Sequence, residues 1–334
     1  MEIWFLLRLG SNISLKLFTI NLMDYELTTL TLSMVKGIGS KSIADFWNCR
    51  EAPSSPSQLR KLLANGAIKR LKVAPERGDI EDLWSQAKRI VESCKEQAIH
   101  ILGRAKSIPI QLQKIENPPN LLFVKGNVDI LHQKSVAIIG TRQPSNFGLQ
   151  SARRMAMFSS QNQWVVVSGL AEGCDTAGHE GCLDVCGKTV AVLAHGLGTT
   201  YPAVNSELSE QIVKQGGCLV SEYAPGTPPS RGTFVERDRL QSGLSKGIIV
   251  IETDVVGGTM HTVGFAKSHN RGIAVLCHPE KYKGGVKTKG NEKLIEENAA
   301  IPLTNQNDLL KYLTKLDCLS YLASSSDTQT HLDI

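Results

Sequence analysis

The sequence predicts an α/β protein, a doubly wound parallel sheet preceded by a small all-helical domain, and three observations carry that expectation. Short apolar runs bounded by glycine recur at Val136–Ile139, Trp164–Val167, Val190–Leu193, Cys218–Val220, Ile248–Ile251 and Ile273–Leu276. Because they are apolar at successive positions rather than alternate ones, they fit strands buried on both faces. Helix-length amphipathic stretches stand between them, near 147–161, 176–186, 205–215, 236–245 and 259–270, which gives the βαβ alternation of a parallel sheet. Before all of these, residues 24–107 place apolar side chains at three- and four-residue spacing, broken at Pro53, Pro56, Gly66 and Pro75, a helical pattern.

Taken in order, residues 1–22 lack the basic leader and small-residue cleavage site of a signal peptide and are expected to be an extension, disordered or owed to the choice of start codon. In the helical domain, 23–107, the stretch Val35-Lys36-Gly37-Ile38-Gly39-Ser40-Lys41 lies between two helices. It fits either a helix-hairpin-helix whose turn offers N–H groups to phosphate or a tight turn that needs glycine for positive φ. Pro109 and Pro118-Pro119 set extended backbone before Leu121-Leu122-Phe123-Val124. The doubly wound domain is expected to run from 108 to 316, and the Ser-rich tail, 317–334, to be disordered from Ala323.

Composition narrows the function classes. The 334 residues are 41% hydrophobic and 21% charged, with no apolar run near the ~20 residues of a membrane-spanning helix. Eight scattered cysteines, at 49, 94, 174, 182, 186, 218, 277 and 318, form no CxxC pair and suit buried thiols in a reducing cytoplasm. Cys182 and Cys186 lie one helical turn apart, but nothing completes a tetrahedral set, so no metal is expected. The net charge of +5 is compatible with a polyanionic partner. Two basic runs stand out, Arg60, Lys61, Lys69, Arg70 and Lys72, and Lys281, Lys283, Lys287 and Lys289; each is either solvated surface or an anion-facing patch.

Doubly wound sheets bind ligands in the loops at the carboxyl ends of their strands. The first such loop begins Gly140-Thr141-Arg142, where glycine permits close approach and Arg142 supplies a two-pronged phosphate donor. The GxGxxG spacing is absent and the second strand ends at Ser168-Gly169 rather than in an acid for a ribose, which disfavours a nicotinamide dehydrogenase. Asp175 and His179 share a helix face, as an acid/base dyad or as a cap hydrogen-bonded to a histidine. A third loop holds His195-Gly196-Leu197-Gly198 and Tyr201-Pro202, with Lys188 just before the strand that leads into it.

The succession GTR, SGLAEGCDTAGH, GKTVAVLAHGL with YP and Asn205, SEYAPGTPP, FVERDR with SGLS, and IVIET with GGTMHT resembles, in order and spacing, the DNA-processing protein A family, DprA/Smf. The likeness spans 108–316, and the helical (SAM/HhH-like) domain before it fits the family layout. It implies an extended Rossmann-like fold and a cytoplasmic homodimer that binds and protects single-stranded DNA, without enzymatic turnover or cofactor, and loads it onto RecA in natural transformation and recombination. Carried onto this chain, the phosphate contacts would be Gly140, Thr141, Arg142, Ser168, Gly169, Lys188, Arg237, Arg239, Gly257, Gly258 and Thr259, with Phe234 stacking on a base or packing in the core.

The chain departs from the family at Asp238, between Arg237 and Arg239, at Gly198 and at His261, and the family's carboxyl-terminal winged-helix domain is not evident. An acid between two arginines lowers the local positive potential, either by pairing with Arg237 or Arg239 or by repelling an approaching phosphate. The competing reading is a nucleotide sensor or nucleoside-phosphate hydrolase, since Gly257-Gly258-Thr259 resembles the phosphate loop of LOG-type enzymes. That class carries a glutamate shortly after, where this chain has His261, Thr262 and Val263.

Overall fold

The computed structural model describes residues 22–47, 51–69, 71, 75–103, 107–285 and 287–326. Arg70 and Lys72 of the first basic run, Cys49, residues 1–21 of the expected extension and 327–334 of the tail lie outside the described residues. The chain divides into two compact units, one holding residues up to 108 with 117–122, the other 109–116 with 123–334.

The first unit contains α1 (Leu22–Met34), α2 (Ser40–Trp47), α3 (Pro56–Ala64), α4 (Arg77–Glu96) and β1 (Ile99–Gly103). Its helices converge on Leu32, Phe46, Leu59, Ile80 and Ala87, all fully buried. The Trp47 indole donates to Thr29 Oγ1 at 3.0 Å and lies 4.4 Å from the Tyr25 ring. Between α1 and α2 the turn passes through Gly37 at φ +87°, a conformation open to glycine. Residues 99–103 correct the all-helical expectation. Ala98 at φ +53° ends the run begun by α4, and the Ile99-His100-Ile101 alternation then extends as a strand.

The second unit opens with α5 (Ile110–Gln113) and the later part of β2 (Leu121–Gly126). Then follow β3 (Ser135–Ile139), α6 (Asn146–Gln161), β4 (Val165–Ser168), α7 (Cys174–Leu183), β5 (Thr189–Leu193), α8 (Ser206–Lys214) and β6 (Cys218–Ser221). The chain continues through α9 (Arg231–Leu244), β7 (Gly247–Val250), α10 (Gly258–Ser268), β8 (Gly272–Leu276), α11 (Lys289–Glu296), β9 (Ile301–Leu303) and α12 (Gln306–Ser326). The strand order is β2-β6-β5-β4-β3-β7-β8-β9. The chain winds outward from β3 through β4, β5 and β6, then crosses back to lay β7 against the other side of β3, so the topological switch point lies between β3 and β7. One strand departs from the parallel expectation: β2 pairs antiparallel with β6, Phe123 opposite Ser221 and Gly126 opposite Cys218.

Strands β3 to β5 and β7 are buried along their whole length, as their unbroken apolar runs require. Val136, Ile138, Val166, Ile249 and Ile251 meet Ala152 and Ala156 of α6 and Tyr312 and Leu313 of α12 in one core. Helix α12 runs past residue 316, the expected end of the domain, and Asp317 at its middle accepts from Lys134 at 3.0 Å and Lys246 at 2.8 Å. Among the described residues no helix is long and apolar enough to cross a membrane.

Helices α6 and α7 approach at backbone distance. A Cβ on Gly181 would lie 2.1 Å from the Arg153 carbonyl oxygen. In a free helix alanine is better than glycine by about 1 kcal/mol, but here the backbone of α6 would have to move. Gly181→Ala should therefore reverse the usual sign and destabilise the protein by roughly 1–3 kcal/mol, seen as a lower urea midpoint at unchanged slope.

Candidate functional site

The switch point opens a cleft of about 440 Å³ at the carboxyl edge of the sheet. Its walls are the loops after β3 (Gly140–Gln143) and β7 (Thr253–Gly258), the first turn of α10, one side of α9, and Lys287. A side pocket adjoins it under Tyr201 and Pro202, sharing Arg142, Ala171, Phe234 and Arg237 with the main cleft.

Arg237 forms the floor. It is 6% exposed, and its guanidinium donates through Nη1 to the carbonyls of Gly169 (2.6 Å) and Val192 (3.1 Å) and through Nε to Asp238 Oδ1 (3.0 Å). A Cβ on Gly169 would collide with Arg237 Nη1 at 1.7 Å, so glycine at that strand end is the condition for the arginine to lie there. Asp175 braces the same floor, its Oδ2 accepting from the N–H groups of Gly169 and Ala171. This carboxylate ties the loop backbone, and His179 is not its partner: His179 Nδ1 meets Thr189 Oγ1 at 2.7 Å. Since that hydroxyl donates to the Val166 carbonyl, Nδ1 must carry the proton, and burial pushes His179 down to about 3. An acid/base dyad is thus not assembled.

The rim is aromatic and cationic. The exposed Arg142 guanidinium stacks over the half-buried Phe234 ring at 5.1 Å, and Tyr201, 47% exposed, stands 5.9 Å from Phe234 on the far side of the side pocket. Buried His195 fixes Tyr201. Its Nδ1–H donates to the Gly196 carbonyl, which leaves Nε2 to accept from the Tyr201 N–H at 3.2 Å. Opposite, α10 begins at Gly257-Gly258-Thr259 with no side-chain cap, so the positive end of a helix faces the cleft. The neighbouring α6 is closed instead: Ser145 caps it, and Glu252 accepts from Ser145 N–H and Oγ and from His278 Nε2.

Of the residues expected at the site, Gly140, Thr141, Arg142, Gly169, Phe234, Arg237, Gly257, Gly258 and Thr259 line these two connected spaces. Three do not. Ser168 is fully buried and donates to the Ile138 carbonyl, a bond inside the sheet. Lys188 precedes β5, and in a parallel sheet that places it at the amino edge, one strand length from the cleft. Arg239 is 4% exposed and bound to Glu222 and Glu236; two residues from Arg237 on a helix, it points to another side. From the sequence, Tyr201 is placed in the third loop without a role at the site, Lys287 in a basic run open to either reading, and Asp254 is not singled out; all three line these spaces. Among the described residues no cluster of three or more His, Cys, Asp or Glu could hold a metal ion.

Asp238 takes the first of the two routes expected of it, pairing with an arginine, but does so in the interior. It is 7% exposed, under the cleft rather than at its surface, and its partner is Arg237. Burial pushes its carboxyl up to about 6, against the attraction of Arg237 and with the aid of the Asp175 charge. Burial likewise raises Asp175, opposed by Arg237. The charged lining is therefore balanced, Arg142, Arg237 and Lys287 against Asp175, Asp238 and Asp254, but two of the acids are buried while Arg142 and Lys287 face solvent.

Fold and cleft together define a doubly wound α/β protein whose switch-point cleft offers helix N–H groups, a stacked guanidinium and aromatic rings to an anionic ligand. Residues 100–314 match the family model of DNA recombination-mediator protein A, and the chain belongs to that family, the one its motifs resemble. It is 30% identical to DNA processing protein DprA of Bacillus subtilis over 79% of this chain and 89% of that one. It superposes on the X-ray structure of DNA processing protein A from Streptococcus pneumoniae with a TM-score of 0.70 at 28% identity, over 87% of this chain and 98% of that one. The Helicobacter pylori protein, described for its unique single-stranded DNA binding mode, matches 65% of this chain and 96% of its own, with a TM-score of 0.58 at 28% identity.

The Asp238 environment gives a pH signature. A free aspartate titrates near pH 4, so between pH 4 and 6 the folded protein holds this proton more tightly than the unfolded chain, and stability falls as pH rises through that window. Asp238→Asn removes the titration. The variant should lack this fall, so that its stability relative to the wild type rises as pH increases from about 4 to 7, whatever constant offset the lost Arg237 contact adds. Urea unfolding across pH 4–8 checks it, and a difference independent of pH would contradict it.

Proposed function

We propose that this protein is a single-stranded DNA-binding recombination mediator that holds DNA in the switch-point cleft, acts in the cytoplasm as a homodimer, and passes the DNA to the RecA recombinase. The observation that carries the reading is the rim, where Phe234 with Arg142 stacked on it and Tyr201 beyond stand beside the uncapped start of α10. Aromatic faces suit the unstacked bases of a single strand, and guanidinium, lysine and helix N–H groups suit its phosphates without reading sequence. Family membership and the DNA-binding description of the Helicobacter pylori relative support it. The dimer and the RecA contact follow from the family resemblance.

The hydrolase alternative finds no free base to activate water in the cleft floor. Asp175 holds backbone N–H groups, Asp238 is bound to Arg237, and Glu252 is bound to Ser145 and His278. Glu222 is bound to Arg239. With these floor carboxylates committed, binding without turnover of nucleoside phosphates is the reading that family membership supports, Glu172 at the side pocket serving it as an acceptor and not as a base.

Arg142→Ala should weaken binding of a fluorescent oligodeoxythymidylate about tenfold and flatten the slope of log K against log salt by about 0.7. Phe234→Ala should cost a similar factor with little change in slope, because stacking on a base is worth about 1–3 kcal/mol and releases no counterion. Lys188→Ala should alter neither quantity. Unchanged affinity and slope for Arg142→Ala would remove the DNA from this cleft.

A further inference from the structure

Glu172 is a charged group at the cleft that the fold leaves uncommitted. It sits in the loop between β4 and α7, is exposed, lines the side pocket, and makes no hydrogen bond or ion pair with the described residues. Its backbone, by contrast, is fixed. Asp175 holds the N–H of Ala171 before it, and Gly173 after it, at φ +83°, packs so closely on the Thr141 and Arg142 carbonyls that a Cβ would lie 2.6 Å from either oxygen. A carboxylate is thus presented from a restrained loop beside Tyr201, whose backbone N–H His195 holds, and Phe234 of α9.

The room in the side pocket, about 40 Å³, suits a small substituent rather than a nucleotide. A base resting on the aromatic rim would keep its ring outside and place only an edge group within. Of the two cationic neighbours, Arg142 lies over Phe234, and Arg237 commits Nε and Nη1 to protein acceptors. Glu172 is the acceptor without a partner. A carboxylate accepts a hydrogen bond from an exocyclic amino group and repels an exocyclic carbonyl, the distinction between cytosine N4 and thymine O4.

Resting on the single-stranded DNA reading above, we propose that Glu172 gives the cleft a base preference, favouring cytosine over thymine at the nucleotide seated against Tyr201 and Phe234. The two bases have similar stacking area, so the difference isolates the substituent. The test is a titration of the full chain with fluorescent (dC)12 and (dT)12 at equal salt, followed by (dT)12 carrying one cytosine at successive positions. Wild type should bind (dC)12 roughly threefold to tenfold more tightly than (dT)12, as one charge-assisted hydrogen bond at an open site allows, and the single-cytosine series should recover most of that gain at one position. In Glu172→Gln, whose amide can donate as well as accept, and in Glu172→Ala, the two affinities should converge, with circular dichroism unchanged since the side chain is exposed. Equal affinities in wild type, or a preference surviving in both variants, would overturn the inference while leaving DNA binding in place. Failure of wild type to bind either oligomer would instead overturn the proposed function, and this inference with it.

Discussion

The buried guanidinium of Arg237 is the constraint on which the cleft depends. It joins the end of β4, through the Gly169 carbonyl, to the end of β5, through the Val192 carbonyl, and to its own helix through Asp238. A buried cation without partners is costly, and these acceptors together with the nearby Asp175 charge satisfy it. Its presence explains two features of the surrounding sequence. Gly169 can carry no side chain, and Asp238, which looks in the sequence like an acid set against a nucleic-acid partner, is instead a buried counter-ion. Under the proposed function, phosphate recognition would fall to the groups at the rim, Arg142, Lys287 and the start of α10, above a floor already neutralised.

The sheet was legible because a strand buried on both faces must be apolar at every position. The six apolar runs lie within a residue of β3 to β8 at either end. Helix α9 began earlier than its amphipathic pattern, at Arg231, because the Ser230 and Thr233 capping pair starts it while its first turn faces solvent. The antiparallel β2 and the strand β1 were not legible, since pairing direction and a short strand after a long helix are settled by tertiary contacts rather than by period. At the site, the glycine-flanked loops were recognisable because backbone approach demands glycine. The individual cations were not equally so: Arg237 and Arg239 are neighbours in a motif but diverge around the helix, and Lys188 stands at the wrong end of its strand. Chain order relative to strand direction held the second of these answers; burial of Asp238 and Arg239 could be learned only from packing.

Glu252 shows how the two halves of the switch point are joined. Its carboxylate, at the end of β7, accepts from both the N–H and the hydroxyl of Ser145 at the start of α6 and from His278 beyond β8, while its backbone carbonyl accepts from the Thr141 N–H. A Cβ on Gly148 would lie 2.5 Å from that carboxyl, so the helix approaches it without a side chain between. The bonds to His278 and Ser145 outweigh burial and hold Glu252 below the usual carboxylate range, so it remains an anion and an acceptor at neutral pH.

The loop bearing Arg142 is thereby held from several directions: by Glu252 at Thr141, by Gly173 packed against its carbonyls, and by α6 seated on α7 through Gly181. A segment so restrained has little backbone freedom left to surrender. When a ligand arrives, the ordering entropy that a pliable recognition loop would lose has already been lost during folding, and only side-chain rotamers remain to be fixed. Ligand exchange at such a rim should be governed by desolvation and counterions, with a heat capacity change no larger than the covered surface requires.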